Sequence, residues 1–225
     1  MKVEIWSDVA CPWCYIGKVR FEKALESYEH AEEVDVVWRS FQLQPDAPRK
    51  NPGLTSAHLA EKYGVGVQQA NEMMGRVTEL ATAEGLEFHL DKALAANTFD
   101  AQRLVHHAKS SAGPEVATAL MNRLMQAYQS EGANVADHQS LVAMAVEVGL
   151  DEAAATRVLS TDEHAADVRT DLERGHRFGI SGVPFFVIDE QHGISGAQPT
   201  ELFLRALRQL GPRAEASHGE KLAST

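Results

Sequence analysis

The sequence predicts an α/β protein: a β-α-β … β-β-α platform interrupted by an all-helical insertion. Three observations carry this expectation. Strand-like runs occur at residues 2–7 and 33–43 and then not again until 183–189. Between them, residues 55–178 are patterned only for helices. The last amphipathic segment, 199–210, follows the late β run, so one sheet is completed only if the two ends of the chain return to each other. The boundaries that follow are 1–45 plus 179–212 for the platform, 46–178 for the insertion and 213–225 for a polar tail.

Each element has a local reason. "KVEIWS" (2–7) alternates in polarity, with Val3 and Ile5 on one side, as a short strand does. Pro12 suits the first position of a helix, with Cys11 at its cap, and Val19, Phe21, Leu25 and Tyr28 recur at roughly helical spacing. "EVDVVWRSFQL" (33–43) is rich in β-branched and aromatic residues, so strand, helix and strand predict a parallel pair with a crossover. "QPDAPRKNPG" (44–53) is a loop, punctuated by three prolines and a glycine. Helical segments follow at 55–63, 66–85, 98–112, 115–130, 137–148, 151–158 and 161–178. Thr55, Thr98, Asp137, Asp151 and Thr161 are their expected N-caps. "VPFFVID" (183–189) returns to strand, a turn at 190–193 leads to "ISGAQ", and "PTELFLRALRQL" closes as a helix.

Composition narrows the function classes. Of 225 residues, 44% are apolar and 24% charged, an ordinary globular balance that needs no covalent staple. The formal charge of −11 argues against a nucleic-acid partner, which asks for a basic face. Scattered Lys and Arg and the lack of a long apolar run argue against a membrane partner. The start, "MKVEIWSDVACPWC", has neither a sustained apolar core nor a small-residue cleavage site, so the expected location is cytoplasmic.

The only two cysteines, Cys11 and Cys14, flank Pro12 and Trp13. A zinc site wants four ligands, and no second CxxC exists. The adjacent His106 and His107 point about 100° apart on a helix and do not chelate together easily. No metal is expected. A structural disulfide across two residues closes too short a loop to stabilise much, and a reducing compartment keeps thiols free. The redox reading has a mechanism. A free thiol is only about 3% thiolate at pH 7, and a helix start offers its positive end and unpaired N–H groups. Cys11, nearer the loop, is then the nucleophile, and Cys14, one turn inside, resolves the mixed disulfide. Trp13 either shields the sulfur and faces a substrate or packs on the insertion. Asp8, three residues before Cys11, is read as organising the loop rather than as catalytic.

Pro184 stands at the start of the late β run, where a proline is tolerated. A cis bond after Val183 would turn the chain sharply and offer the Val183 backbone to an extended substrate. With the N-terminal β-CPWC-α unit, "GVPFF" becomes a paired signal. "CPWCYIG", the helical block with "NTFDAQRLVHHA" (97–108) and "GLDEAAATRVLST" (149–161), and "GISGVPFFVID…ISGAQP" together resemble the DsbA-like thioredoxin superfamily. The nearest branch is the cytoplasmic FrnE-like dithiol oxidoreductases. The resemblance covers nearly the whole chain. It implies a thioredoxin fold, nucleophilic Cys11, resolving Cys14, substrate contacts at Pro12, Trp13 and Val183, and a cis-proline at Pro184. DsbA itself has histidine at the Trp13 position, and the related kappa-class glutathione transferases and 2-hydroxychromene-2-carboxylate isomerases have serine at the Cys11 position.

The expected activity is therefore exchange with protein or small-molecule disulfides and thiols, by a monomer or homodimer. No cofactor is expected beyond the dithiol, with glutathione entering as a co-substrate. The alternative is a glutathione-dependent isomerase or transferase, acting on an aromatic metabolite in a cleft with polar contacts from Asn97, Thr98 or Arg103. Against the alternative, a helix cap and interdomain hydrogen bond also account for Asn97. A third reading, a holdase using Met73, Met74, Met121, Met125 and Met144, competes with the plainer role of methionines as core.

Overall fold

The computed structural model describes residues 1–211, and the tail expected at 213–225 lies outside the described residues. Strands β1 (Lys2–Ser7), β2 (Asp35–Ser40), β3 (Phe185–Ile188) and β4 (His192–Ser195) form one mixed sheet in the order β2-β1-β3-β4. β1 runs parallel to β2, with Ile5 opposite Trp38. It runs antiparallel to β3, with Ile5 opposite Phe186, and β3 pairs antiparallel with β4. The parallel pair needs a crossover, which α1 (Pro12–Glu26) supplies.

Alternation along β1 divides its side chains between two layers. Val3 and Ile5 join α1 and the last helix, α9 (Thr200–Leu210 here, numbered after the insertion helices), in the main core. There Phe21, Phe186 and Phe203 meet with ring centroids 4.6 to 5.7 Å apart. Such tilted and edge-on contacts add about 0.5–1.5 kcal/mol beyond the area they bury. Trp6 points the other way, into a smaller cluster with Ile180 and Val187. Glu4 shares that side and is fully buried. It accepts hydrogen bonds from Arg39 at 2.6 and 2.8 Å and from Arg174 at 3.0 Å, while Arg39 also reaches Asp171 at 2.9 Å.

The insertion comprises α2 (Thr55–Tyr63), α3 (Val67–Ala83), α4 (Phe99–Ala112), α5 (Pro114–Gln126), α6 (His138–Glu147), α7 (Glu152–Ser160) and α8 (Ala165–Arg177). α4 lies at its centre, buried on nearly every side. No helix among the described residues is long and apolar enough to cross a membrane.

Several boundaries differ from the sequence expectation. The helix expected over 115–130 gives way after Gln126 to a wide π turn, Ala127–Glu131. The strand expected at 33–43 is confined to Asp35–Ser40, and β4 starts at His192, inside the expected turn. Asp137 and Asp151 cap as expected, accepting from the amides of Ser140 and Ala154, each at 2.8 Å. Thr98 holds the N-cap position without a side-chain capping bond, and Asn97 Oδ1 accepts from the Phe99 amide at 2.9 Å. Thr55 is the first helical residue rather than the cap. Thr161 closes α7, its hydroxyl donating back to the Arg157 carbonyl at 2.8 Å, and α8 begins only after His164.

Candidate functional site

The chain leaves β1 at Ser7 and enters α1 through a tight loop. The Asp8 carbonyl accepts from the Cys11 amide at 3.0 Å, and the Cys11 carbonyl accepts from the Cys14 amide at 3.0 Å. Cys11 therefore occupies the N-cap in an extended conformation, Pro12 takes the first helical position, and Cys14 lies one turn inside. Both thiols are free. The Cys11 thiol donates to the Val183 carbonyl across 3.5 Å. The Val183–Pro184 peptide is cis, as the sequence reading expected. Gly17 admits Pro184 against α1: a Cβ there would lie 2.9 Å from Pro184 Cγ.

Cys11 is only 3% exposed, yet it lines an open cleft of about 510 Å³ between platform and insertion. Trp13, Leu43, Leu59, Met74, Tyr128 and Val183 form much of its largely apolar wall, and Lys62 and Arg76 add positive charge. Trp13 keeps 38% of its surface exposed, so its indole faces the cleft instead of being packed away in the insertion. Volume and lining suit a small molecule or a short apolar segment around a disulfide.

The two sulfurs sit in different surroundings. Burial, and then the hydrogen-bonded Cys11 thiol, push the Cys14 thiol well above its ordinary range. The Ser7 hydroxyl and the Asp8 backbone N–H pull in the opposite direction. Ser7 Oγ is buried and has no hydrogen-bond partner, so its dipole is uncommitted. Burial also raises the Asp8 carboxyl, despite the amides of Leu43 (2.8 Å) and Ala10 (3.3 Å) that it accepts from. Burial likewise pushes the Tyr128 hydroxyl up to about 12, and that hydroxyl shares a 3.0 Å hydrogen bond with Thr55.

With this geometry in place, comparison with known proteins is decisive. The family model of the DSBA-like thioredoxin domain matches residues 2–208. The chain belongs to that family. The Bacillus subtilis protein YwbO is 30% identical over 217 residues, spanning 91% of this chain and 94% of its own. A probable DsbA oxidoreductase from Streptomyces coelicolor is 40% identical with a TM-score of 0.87, over 93% of this chain and 89% of that one. The cytosolic disulfide reductase DsbM of Pseudomonas aeruginosa shares the fold, with a TM-score of 0.67 at 18% identity over 93% and 98% of the two chains. The fold is thus a DsbA-like thioredoxin fold with a helical insertion. At family level the activity is that of a thiol oxidoreductase or isomerase.

Within this DSBA-like site the structure brings Cys11, Pro12, Trp13 and Val183 to one cleft, with Cys14 and Pro184 directly behind. It does not bring Asn97 or Arg103 there, and both expected cleft contacts are corrected. The Asn97 amide donates to the carbonyls of Pro45 (2.9 Å) and Ala47 (3.2 Å), holding the loop between β2 and α2. The Arg103 guanidinium is buried against Asp100 and the carbonyls of Val158, Thr161 and Glu163. Thr98 does line the cleft. Sequence reasoning passed over Ser7, Gly17, Tyr128 and Gln129. Only Gly17 carried a usable signal, since a lone glycine inside a helix marks a close approach by another backbone or ring.

Proposed function

We propose that this protein is a thiol–disulfide oxidoreductase that reduces or isomerises disulfides, with Cys11 as nucleophile and Cys14 as resolving thiol. The observation that carries this reading is a cleft lined by Cys11 beside the Val183 carbonyl, with Cys14 outside that lining. The Cys11 thiolate attacks one sulfur of a substrate disulfide. A Cys11–substrate bond forms, the substrate S–S bond breaks, and the other half departs as a thiolate. That thiolate takes the Cys14 proton. Cys14 then attacks Cys11 sulfur, releasing the second half and leaving a Cys11–Cys14 disulfide. The substrate gains two electrons and the protein loses two. A thiol reductant of the glutathione type returns them in a second exchange.

The direction follows from potentials. Even a pair as oxidising as about −120 mV would be held reduced by a cytoplasmic glutathione pool near about −220 mV, by over three decades. Working in the cytoplasm, it acts as reductase or isomerase. The Streptomyces probable DsbA oxidoreductase and the Pseudomonas disulfide reductase support the same class. Cys11→Ser abolishes insulin reduction, and Cys14→Ser accumulates mixed disulfides detectable by mass spectrometry. Undiminished turnover in Cys11→Ser ends the proposal.

The cleft itself favours one second reading, a glutathione-dependent isomerase or transferase. Its volume of about 510 Å³, its apolar wall and Thr98 at its edge suit an aromatic metabolite. Calorimetry separates the two: glutathione binding that is tight and unchanged in Cys11→Ser supports this second reading, and binding that vanishes with the thiol supports the first.

A further inference from the structure

Away from the dithiol, α4 and the loop between α7 and α8 bring two histidines and a carboxylate together. His107, Glu163 and His164 each offer one ligand atom within 4.8 Å of the others. None of the three lines the cleft that holds Cys11. We propose that this trio is a binding site for a divalent transition-metal ion of the zinc class, with a fourth position left to water. It departs from the no-metal expectation, which rested on the cysteines and on the pairing of His106 with His107.

The donor set fits the ion. Two imidazoles and one carboxylate suit zinc, cobalt or nickel, and three protein ligands leave a coordination position open. Ligands about 2.0–2.1 Å from a tetrahedral ion lie about 3.4 Å apart, so closure asks for side-chain movements of about 1 Å. The rings of His107 and His164 already approach to 5.7 Å between centroids.

The surroundings orient each ligand. His164 Nδ1 pairs with Asp167 at 2.7 Å, which leaves Nε2 as the lone-pair nitrogen, 3.8 Å from Glu163 Oε1. A carboxylate behind a ligating histidine is the usual outer support of a metal site. Glu163 divides its oxygens, Oε2 accepting from Arg157 at 3.0 Å while Oε1 turns toward His164. The loop is held by Arg103, bound to its Thr161 and Glu163 carbonyls, to the Val158 carbonyl in α7 and to Asp100. His164 adopts a left-handed φ of 62°, a conformation that histidine enters more readily than most residues. A net charge of −11 adds a general attraction for cations.

The dithiol would also bind zinc, so the test uses the full-length Cys11→Ser, Cys14→Ser double variant, stripped with chelator. Titration with Co²⁺ is expected to give one equivalent with visible d–d absorption, displaced by Zn²⁺. In the same background, His107→Leu and Glu163→Gln abolish the absorption, and Asp167→Asn weakens binding by about tenfold. Zn²⁺ raises the melting temperature of the double variant and leaves that of Glu163→Gln unmoved. No stoichiometric Co²⁺ binding overturns the proposal, as does binding unchanged by both ligand substitutions. Should His107→Leu fail to fold, the Glu163→Gln titration alone decides, because Glu163 is partly exposed and its loss leaves the core intact.

Discussion

Replacing Gly17 with alanine sets two effects in opposition. A glycine inside a helix costs about 1 kcal/mol relative to alanine, so at an ordinary position in α1 the change would stabilise. Here the added Cβ would lie 2.9 Å from Pro184 Cγ and 3.3 Å from Ala197 Cα. Comfortable carbon contacts start at about 3.5 Å, so Pro184 must withdraw by about 0.6 Å. It cannot swing freely, because its carbonyl accepts the Gly196 amide at 2.8 Å. Overpacking of this kind costs about 1–3 kcal/mol, which outweighs the helical gain by up to about 2 kcal/mol. The chemistry suffers more. The Val183 carbonyl, 3.5 Å from Cys11 sulfur, moves with Pro184, and misplacements approaching 1 Å reduce rates by up to about a hundredfold. Gly17→Ala is therefore expected to lower kcat/KM in insulin reduction by tenfold or more, while lowering the melting temperature by only about 2–8 °C. Thermal melts and steady-state turnover on the same preparation check both. An alanine variant that melts higher than the parent and turns over at full rate would refute the argument.

Other expectations follow from the same geometry. Ser7→Ala removes the hydroxyl that eases the Cys14 thiol downward; loss of a polar contact of about 0.5–1.5 kcal/mol slows decay of the mixed disulfide by about two- to tenfold, read by quenched mass spectrometry. With Cys14 pushed up by burial and covered, iodoacetamide at pH 7 labels Cys11 alone, and labelling of both thiols at equal rates in the folded protein would contradict the site. Burial alone would raise Glu4 and Asp171, but the arginines around Glu4, and His106, the Ser40 amide and Arg39 around Asp171, hold both carboxyls below their ordinary range. Their contribution to stability is present above the unfolded values of about 4.3 and 3.9 and is lost as pH falls through the lower folded values. Urea midpoints should therefore fall steeply below about pH 4, and Asp171→Asn should cost about 3–5 kcal/mol at neutral pH while flattening that acid limb.

How much of this the sequence disclosed depended on how one-sided each element was. β1 and β2 alternate or run apolar, α9 is strongly two-faced, and Pro184 and the CPWC turn are strong local signals, so platform and dithiol were legible. α4 was not. Asp100, Ala101, Gln102, Arg103, Leu104, Val105, His107 and Ala108 are all buried, so the helix has no solvent face against which to orient the rest. Asn97 and Arg103 were assigned to the cleft for want of that reference, and both serve the interior instead. Asp137 and Asp151 were readable as caps because each directly precedes its helix and bonds locally. Thr161 was misleading because its hydroxyl turns back into α7 and three residues intervene before α8. The π turn left no mark, since "QAYQSE" contains neither glycine nor proline and is made of residues that a regular helix also accepts.

The insertion has a part in the chemistry beyond forming a wall. Three of its side chains grip the four residues that lead into Cys11. The Gln102 amide donates to the Ser7 carbonyl at 3.2 Å, the Gln129 amide donates to the Val9 carbonyl at 3.2 Å, and the Thr98 hydroxyl draws the Asp8 carboxyl downward against its burial. Asp8 in turn holds the amides of Ala10, beside the nucleophile, and Leu43, just past β2 on the way into the insertion. A buried carboxylate is costly, and burial does raise Asp8, so its retention is explained by the number of donors it gathers from both halves. Gln129 reaches Val9 from the π turn, and the same turn sets Tyr128 against Thr55 at the cleft wall. The position of the Cys11 sulfur is thus set jointly: the platform supplies the helix start, and the insertion fixes the loop that delivers the chain to it.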